Sequence, residues 1–394
     1  MKINSLKNAD LTGKKVFVRA DFNVPIENGV IQDDTRISAT LPTINYLLEK
    51  NAKIILASHL GRPDGKKNEQ DSLAPIAEYL EKKLLKTVTF LPDCIGDEIV
   101  KTISSAEEGT IFLLENTRFH TEEESNDPEF AKKLANLADI FVIDSFGTAH
   151  RKHASTYGIA EYLPAYAGLL MTREIDELSR IMTEPEHPFV LVLGGAKTET
   201  KIPLIKNLLK DADYILLGGG LANTFNAAKG YDMAKSLYEE DKIELAREIM
   251  LQAEMVNTQI LTSEDAIVAD DATDSAESID LPINDIEGEM QALDIGIKTV
   301  HKYYNLIKDA KTIIWNGPMG LFEIEKFASG TRQIAKAIAA NKSARTIIGG
   351  GDTIDAIKDA KLGFDEFTHV STGGGAMLDF LGGNDLPGID IIKA

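Results

Sequence analysis

Short runs of apolar and β-branched residues alternate with longer amphipathic stretches along the whole chain. In the first half these runs predict strands at Lys15–Ala20, Lys53–Ser58, Val88–Leu91, Thr110–Leu114 and Ile140–Asp144. Helical patterns separate them, for example at Ser38–Lys50, Leu73–Leu85 and Pro128–Leu137. Continuous apolar strands separated by helices are typical of a parallel sheet that is covered on both faces.

The second half repeats this scheme. It predicts strands at Phe189–Leu193, Tyr214–Leu217, Ile260–Leu261 together with Ala266–Ala269, Thr312–Trp315, Thr346–Ile348 and His369–Ser371. At 394 residues the chain is also too long for one ordinary hydrophobic core. We therefore predict an α/β protein with two doubly wound, Rossmann-like parallel-sheet domains.

A helix is the predicted boundary between the two domains. The segment Gly168–Met182 has apolar residues at helical spacing and ends before Pro185 and Pro188, which stop a helix. A helical linker orients two domains more firmly than a flexible tether. The predicted organisation is a first domain at 1–167, a helical hinge at 168–185, a second domain at 186–380, and a tail at 381–394 that returns to the first domain.

The charge and the cysteine content exclude several kinds of partner. The net charge of −20 argues against binding to nucleic acid or to an anionic membrane. Cys94 is the only cysteine, so the chain forms no internal disulfide and has no Cys-x-x-Cys pair. No apolar run approaches the roughly 18 residues of a membrane span, and the first residues lack the apolar segment of a signal peptide. We expect a cytoplasmic protein.

Arginine is scarce in the first half of the chain, and three of its five positions follow predicted strands. The first 172 residues contain five arginines, Arg19, Arg36, Arg62, Arg118 and Arg151. Three strand ends combine arginine with histidine, as His59–Arg62, Arg118–His120 and His150–Arg151. Guanidinium groups bind phosphate and carboxylate bidentately, and open parallel sheets bind ligands at the carboxyl ends of their strands. This half is therefore predicted to bind a small anion.

For single residues in this half, interpretations other than anion binding remain open. Asp21 and Asn23, after the first strand, suit hydrogen bonding to sugar-like hydroxyls, or they form an ordinary Asx turn closed by Pro25. A lone arginine after a strand is usually a surface residue. Arg19 either contributes to anion binding or only pairs with a nearby carboxylate. His120 and His153 are each interpreted as structural.

All pairs of adjacent glycines lie in the second half of the chain. They are Gly194-Gly195, Gly218-Gly219-Gly220, Gly349-Gly350-Gly351, Gly373-Gly374-Gly375 and Gly382-Gly383. The first run is predicted to open a helix in which Lys197 and Lys201, four residues apart, share a face near triphosphate oxygens. The run before Asp352 and Thr353 predicts a second glycine turn, where these two residues cap a helix or Asp352 binds Mg²⁺. Neither the G-x-x-x-x-G-K-[ST] nor the G-x-G-x-x-G motif is present.

Ten segments in order resemble the phosphoglycerate kinase family over essentially the whole chain. They are RADFNVP (19–25), DDTRI (33–37), SHLGRP (58–63), LLENTRF (113–119), DSFGTAHR (144–151), LGGAK (193–197), GGGLANTF (218–225), WNGPMGLFE (315–323), GGGDT (349–353) and STGGGA (371–376). Some positions depart from the family pattern, namely Thr198-Glu199-Thr200 between the lysines, Ala292 where glycine is frequent, and Ile297 where proline is usual. These departures leave the charged residues in place.

The resemblance assigns residues to two sites. It implies a phosphoglycerate site at Asp21, Asn23, Arg36, His59, Arg62, Arg118 and Arg151. It implies a nucleotide site at Lys197, Lys201, Gly219, Ala292, Leu293, Asn316, Glu323, Gly350, Gly351, Asp352 and Thr353, with Asp352 as the Mg²⁺ ligand. The catalytic residues that it implies are Arg36, Lys197, Gly350, Gly373 and Gly374.

The reaction implied by the resemblance is reversible phosphoryl transfer between 1,3-bisphosphoglycerate and ADP, which yields 3-phosphoglycerate and ATP in glycolysis. Both acceptors are already ionised at neutral pH, so the transfer needs no general base. The resemblance also implies a monomer whose two domains close on their ligands. Two other classes stay open, a two-domain kinase for another small carboxylic acid and a non-catalytic anion-binding protein.

Overall fold

The computed structural model describes all 394 residues and divides into two compact units. The first unit comprises Met1–Asp176 and Asp385–Ala394, and the second comprises Glu177–Asn384. The final segment pairs with residues of the first unit, because Asn4 N donates to Ile392 O at 2.8 Å and Gly388 N donates to Ala149 O at 2.8 Å. No helix is both long and apolar enough to cross a membrane.

The first unit is built on a six-stranded sheet in the order β5-β6-β4-β1-β7-β8, and every pairing in it is parallel. The strands of this unit are β1 (Lys15–Ala20), β2 (Ile26–Glu27), β3 (Val30–Ile31), β4 (Lys53–Ala57), β5 (Val88–Leu91), β6 (Ile111–Leu114), β7 (Ile140–Asp144) and β8 (Ala165–Ala167). The helices that begin in it are α1 (Thr35–Glu49), α2 (Ala74–Leu84), α3 (Asp97–Ser105), α4 (Thr121–Glu124), α5 (Pro128–Ala135) and α6 (Leu169–Thr183).

The second unit contains another six-stranded parallel sheet, in the order β11-β10-β9-β15-β16-β17. Its strands are β9 (Phe189–Leu193), β10 (Tyr214–Leu217), β11 (Gln259–Leu261), β12 (Asp265–Ala269), β13 (Ile279–Pro282), β14 (Gln291–Ile295), β15 (Thr312–Asn316), β16 (Arg345–Ile348) and β17 (His369–Val370). Its helices are α7 (Ile202–Leu208), α8 (Gly219–Ala228), α9 (Ile243–Met255), α10 (Ile297–Asp309), α11 (Ser329–Ala340), α12 (Gly351–Asp359) and α13 (Gly374–Leu381), and α14 (Pro387–Asp390) lies in the final segment of the first unit.

The continuous apolar runs form central strands because both faces of each sheet are covered. Val16, Phe17 and Val18 on β1 are fully buried, as are all five residues of β9, Phe189–Leu193. Residues on both faces of such strands must be apolar, which removes the alternation of a half-exposed strand. The predicted α/β fold with two parallel sheets is confirmed.

One predicted strand belongs to a different sheet. Ala266–Ala269 was expected to continue Ile260–Leu261 in the parallel sheet, but β12 instead pairs antiparallel with β13 and β14 in a separate three-stranded sheet. Strands β13 and β14 were not predicted from the sequence. Ile279 and Asp280 on β13 are exposed, so this strand lacks the buried apolar run that marks the others.

Two predicted helix starts also differ. Gly194–Lys201 forms an irregular loop and α7 begins only at Ile202, so Lys197 and Lys201 do not share a helix face. Helix α1 begins at Thr35 and not at Ser38, which places Arg36 in its first turn. Pro203 in the first turn of α7 is compatible with a helix start there, because the first turn needs no backbone donor from that position.

Candidate active site

The predicted anion-binding residues of the first unit follow four strands that are neighbours in its sheet. Asp21 and Asn23 follow β1, His59 and Arg62 follow β4, and Arg118 and Arg151 follow β6 and β7 respectively. The sheet order β6-β4-β1-β7 brings these carboxyl ends side by side. Residues far apart in the chain therefore converge at one edge of the sheet.

The segment after β1 forms an Asx turn and also positions Arg36. Asn23 N donates to Asp21 Oδ1 at 3.1 Å, and Asn23 Oδ1 accepts from Gly61 N at 3.0 Å. The Arg36 guanidinium donates to Asn23 O at 3.0 Å and lies 3.2 Å from Asp21 Oδ2. Asp21 and Asn23 thus orient the guanidinium of Arg36, which lies in the first turn of helix α1.

Arg118 is buried and held from two sides. Its Nη1 donates to Gly61 O at 2.8 Å, and its Nη2 lies 2.9 Å from Glu124 Oε1. Burial lowers its pKa, an effect that Glu124 opposes, but an arginine retains its charge in proteins. Two of the arginines have looser surroundings, since Arg62 is exposed and Arg151 is partly buried with its Nε 3.4 Å from His150 Nε2.

Two histidines lie among these arginines, and both have lowered pKa values. Burial, followed by the charges of Arg19, Arg118 and Arg151, lowers the pKa of His59 well below its ordinary value and that of His153 to about 4. Arg36 contributes to the same effect at His59. Both imidazoles are therefore neutral at pH 7, so the positive charge of this cluster comes from guanidinium groups.

Arg19 supports this edge from inside the unit. It is 1% exposed, its Nε donates to Ser155 Oγ at 2.7 Å, and its Nη2 lies 3.2 Å from His59 Nδ1. Ser155 N in turn donates to the buried Glu123 Oε2 at 2.9 Å. Arg19 thus reaches a carboxylate only through a serine, in a connection between distant parts of the chain whose partners the sequence did not specify.

In the second unit, a cavity of about 380 Å³ lies at the carboxyl ends of β9, β15 and β16. The predicted site residues that line it are Lys197, Lys201, Asn316, Gly350, Gly351, Asp352, Thr353 and Gly374. Its other lining residues are Gly194, Gly195, Ala196, Thr200, Gly317, Gly375 and Leu378. Most of these lie in the glycine motifs, but Leu378, on helix α13, had no sequence signal.

Two glycines are required by the backbone of this cavity. Gly350 has φ +105°, a conformation that residues with a Cβ rarely adopt. A Cβ on Gly374 would lie 2.8 Å from the Cα of Gly350, closer than real contacts allow. The two glycine turns therefore pack directly against each other, which leaves their N–H groups at the entrance of helices α12 and α13.

Lys201 is the cationic group whose pKa the cavity changes most clearly. Its ammonium donates to Asn316 Oδ1, and Asn316 is buried and also donates through Nδ2 to Gly349 O at 2.5 Å. Burial lowers the pKa of Lys201 to about 8, and the charge of Asp352 partly opposes this shift. An anion in the cavity would stabilise the protonated amine.

Asp352 and Thr353 have different roles in the first turn of α12. Thr353 Oγ1 donates to Gly349 O at 2.9 Å and accepts from Gly317 N at 2.7 Å, which ties two glycine turns together. The Asp352 side chain is exposed and α12 has no side-chain cap, so the capping interpretation of Asp352 is wrong. A carboxylate at the cavity wall matches the oxygen donors that Mg²⁺ prefers, since Mg²⁺ often takes one or two protein carboxylates besides phosphate and water.

Several predicted residues lie outside the lining of this cavity. They are Gly219, Ala292, Leu293, Glu323 and Gly373. Gly219 N donates to Met319 O at 2.8 Å, and Leu293 O accepts from Leu321 N at 2.8 Å, two residues before the exposed Glu323. Ala292 N donates to Ser236 Oγ at 2.9 Å, and Gly373 precedes helix α13 as its N-cap. Their assignment to the nucleotide site stays a prediction.

The fold and these two groups of residues define a class of two-unit α/β phosphotransferase. One unit presents converging arginines at strand ends, and the other presents lysines, glycine turns and one carboxylate around a cavity. Residues 6–384 match the family model described as phosphoglycerate kinase. The chain belongs to the phosphoglycerate kinase family.

Known relatives agree with this assignment. The chain is 52% identical over 391 residues to a phosphoglycerate kinase of Dictyoglomus turgidum, covering 99% of this chain and 98% of that protein. It is 47% identical over 389 residues to that of Pelotomaculum thermopropionicum, with the same coverage of 99% and 98%. Among solved structures, it resembles the phosphoglycerate kinase of Coxiella burnetii with a TM-score of 0.90 and 42% identity, and that of Pyrococcus horikoshii OT3 with 0.85 and 36%. Each comparison covers 99% of this chain and 98% of the solved one.

Proposed function

We propose that this chain catalyses the reversible transfer of a phosphoryl group between 1,3-bisphosphoglycerate and ADP, forming 3-phosphoglycerate and ATP, as a step of glycolysis. It is thus a phosphotransferase with a carboxyl group as acceptor. The observation that carries the proposal is the cavity in which Lys197, Lys201 and Asp352 adjoin two glycine turns, within a chain of the phosphoglycerate kinase family.

In this proposal the first unit binds the phosphoglycerate. Arg118 and Arg151 are cations close enough to lower the pKa of His59 and His153, so they form a local positive field within a chain of net charge −20. Such a field attracts the phosphate and the carboxylate of a small acid. Asp21 and Asn23 orient Arg36, and the exposed Arg62 adds a further guanidinium.

The second unit binds the nucleotide in this proposal. Lys201 and the exposed Lys197 meet the phosphate oxygens, and the N–H groups of the glycine turns supply further donors. Asp352 is the residue that would hold Mg²⁺, which neutralises phosphate charge when it is bound. We assign Gly219, Ala292, Leu293 and Glu323 to the remainder of the nucleotide.

The proposed mechanism requires positioning and charge stabilisation without a general base. Arg36 and Lys197 stabilise the equatorial oxygens of the group in transfer, and the N–H groups of Gly350, Gly373 and Gly374 add hydrogen bonds to it. The acceptor oxygens are ionised at neutral pH, so no proton must be removed. The lowered pKa of His59 and His153 agrees with this, because it makes both imidazoles weak bases.

We further propose that the enzyme works as a monomer in the cytoplasm and that its partners are limited to these small molecules. The two alternatives make different predictions. A kinase for another carboxylic acid would use that acid with a higher kcat/KM than 3-phosphoglycerate, and a non-catalytic anion-binding protein would bind the ligands without turnover.

A coupled assay with 3-phosphoglycerate, ATP and Mg²⁺ tests the proposal. We expect turnover that needs all three components, and a lower kcat/KM with acetate or aspartate in place of 3-phosphoglycerate. Arg247→Ala is a suitable control for the arginine variants, because Arg247 pairs with Glu244 on an exposed face of the second unit. Absence of turnover with a folded protein would refute the proposed reaction.

A further inference from the structure

Three metal-binding side chains meet in the first unit at a place to which the proposed reaction assigns no role. They are Asp93, Cys94 and His120, and one donor atom from each lies within 4.8 Å of the other two. His120 Nε2 is 2.7 Å from Asp93 Oδ1. Carboxylate oxygen, imidazole nitrogen and thiolate sulfur are the donors that Zn²⁺ takes in proteins.

The surroundings of this cluster combine a buried sulfur with an open side. Cys94 is fully buried and its thiol donates to Glu115 O at 3.0 Å, whereas Asp93 and His120 are partly exposed. The His120 ring packs against Phe130 with 5.0 Å between ring centroids, which restricts its orientation. An ion would therefore reach the cluster from the side of Asp93 and His120 and meet the sulfur behind them.

Bound Zn²⁺ lowers the pKa of a coordinating thiol, so the buried Cys94 would bind the ion as a thiolate.

We propose that Asp93, Cys94 and His120 form a binding site for Zn²⁺ with three protein ligands and a water molecule in the fourth position. Binding breaks the S–H bond of Cys94, the electron pair stays on the sulfur to form the Zn–S bond, and the proton leaves to solvent. Because Asp93 precedes α3 and His120 follows Arg118, the ion would join the loop after β5 to the loop after β6.

Cobalt substitution tests this site through a signal that only sulfur coordination gives. Co²⁺ is added to the reduced full-length protein without nucleotide, and the near-ultraviolet sulfur-to-cobalt charge-transfer band is recorded. We expect one Co²⁺ per chain with this band, displacement by Zn²⁺, and release of about one proton on Zn²⁺ binding at pH 7. Zn²⁺ should also raise the melting temperature.

Matched variants separate the site from incidental metal binding. In Cys94→Ser the charge-transfer band should vanish, and in His120→Gln the Zn²⁺ affinity should fall at least about tenfold. His187→Gln is the control, because His187 and Asp213 form a histidine–carboxylate pair at the same distance of 2.7 Å without a cysteine. His120→Gln keeps the test valid if Cys94→Ser fails to fold. A band that persists in folded Cys94→Ser, no band in the wild type, or equal Zn²⁺ affinity in wild type and His120→Gln would overturn the proposal.

Discussion

The lowered pKa of Lys201 predicts that nucleotide affinity depends on pH. Burial brings this pKa to about 8 from its ordinary 10.5, so a fraction of the free protein has a neutral lysine at mildly alkaline pH. Nucleotide phosphates bind the protonated amine and should return the pKa of the complex to its ordinary value or above. Affinity should therefore be constant well below pH 8 and fall above it.

The size of the effect follows from the two pKa values. With a free pKa of about 8 and a bound pKa of 10.5 or more, the association constant falls by the factor 1 + 10^(pH − 8). This is about twofold at pH 8 and about elevenfold at pH 9, equivalent to about 1.4 kcal/mol at pH 9. Binding at pH 8 should take up about half a proton.

Calorimetry with MgADP between pH 7 and pH 9.5 measures the association constant. Repeating the titrations in buffers of different ionisation enthalpy gives the proton uptake. Lys201→Arg is the matched control, because a guanidinium stays charged throughout this range. Asp352→Asn should shift the decline to lower pH, since Asp352 raises the pKa of Lys201. A wild-type affinity that is flat across the range, or an equal decline in Lys201→Arg, would refute the reasoning.

Four further predictions follow from the two sites. Arg36→Ala should lower kcat by about 10²-fold or more with an unchanged melting temperature, because Arg36 is proposed to stabilise charge in the transition state; a loss below about tenfold at saturating substrates would contradict its catalytic role. Asp352→Ala should weaken MgADP binding more than phosphoglycerate binding in calorimetry, and equal losses would argue against a metal ligand. Gly374→Ala should weaken MgADP binding, because its Cβ would lie 2.8 Å from the Cα of Gly350; unchanged affinity would show that the turns adjust. The pKa of His153 is about 4 in the folded state and 6.5 ordinarily, so the unfolded chain binds more protons between these values. The free energy of unfolding, measured by urea titration, should therefore fall as the pH is lowered from 6.5 to 4. If His153→Gln shows the same pH dependence as the wild type, His153 is not its cause.

Much of the site could be predicted because its residues sit next to the strongest signals in the chain. Strands buried on both faces are continuous apolar runs, as in Phe189–Leu193, and their carboxyl ends meet at one edge of a parallel sheet. Lys197 and Gly350 follow such strands and Asn316 ends one, and the structure places all three on one cavity. Local sequence was sufficient here because strand and ligand-binding turn are contiguous.

Other features depended on pairings that local sequence does not encode. Strand β12 looked like its parallel neighbours, yet it joins β13 and β14, because an apolar run does not specify its partner. Leu378 reaches the cavity only because α13 follows a glycine turn packed on Gly350.

The amino-acid sequence by itself determined the two parallel sheets, the strand-end arginines and the glycine turns, because hydrophobic burial and backbone conformation are local requirements. Only the tertiary structure decided which distant groups meet. Arg19 reaches Glu123 through Ser155, and Cys94 meets His120, because loops from different strands fold over the same edge of the sheet. The resulting burial and charge, which lower the pKa of His59 and raise that of Cys94, exist only once these loops are together.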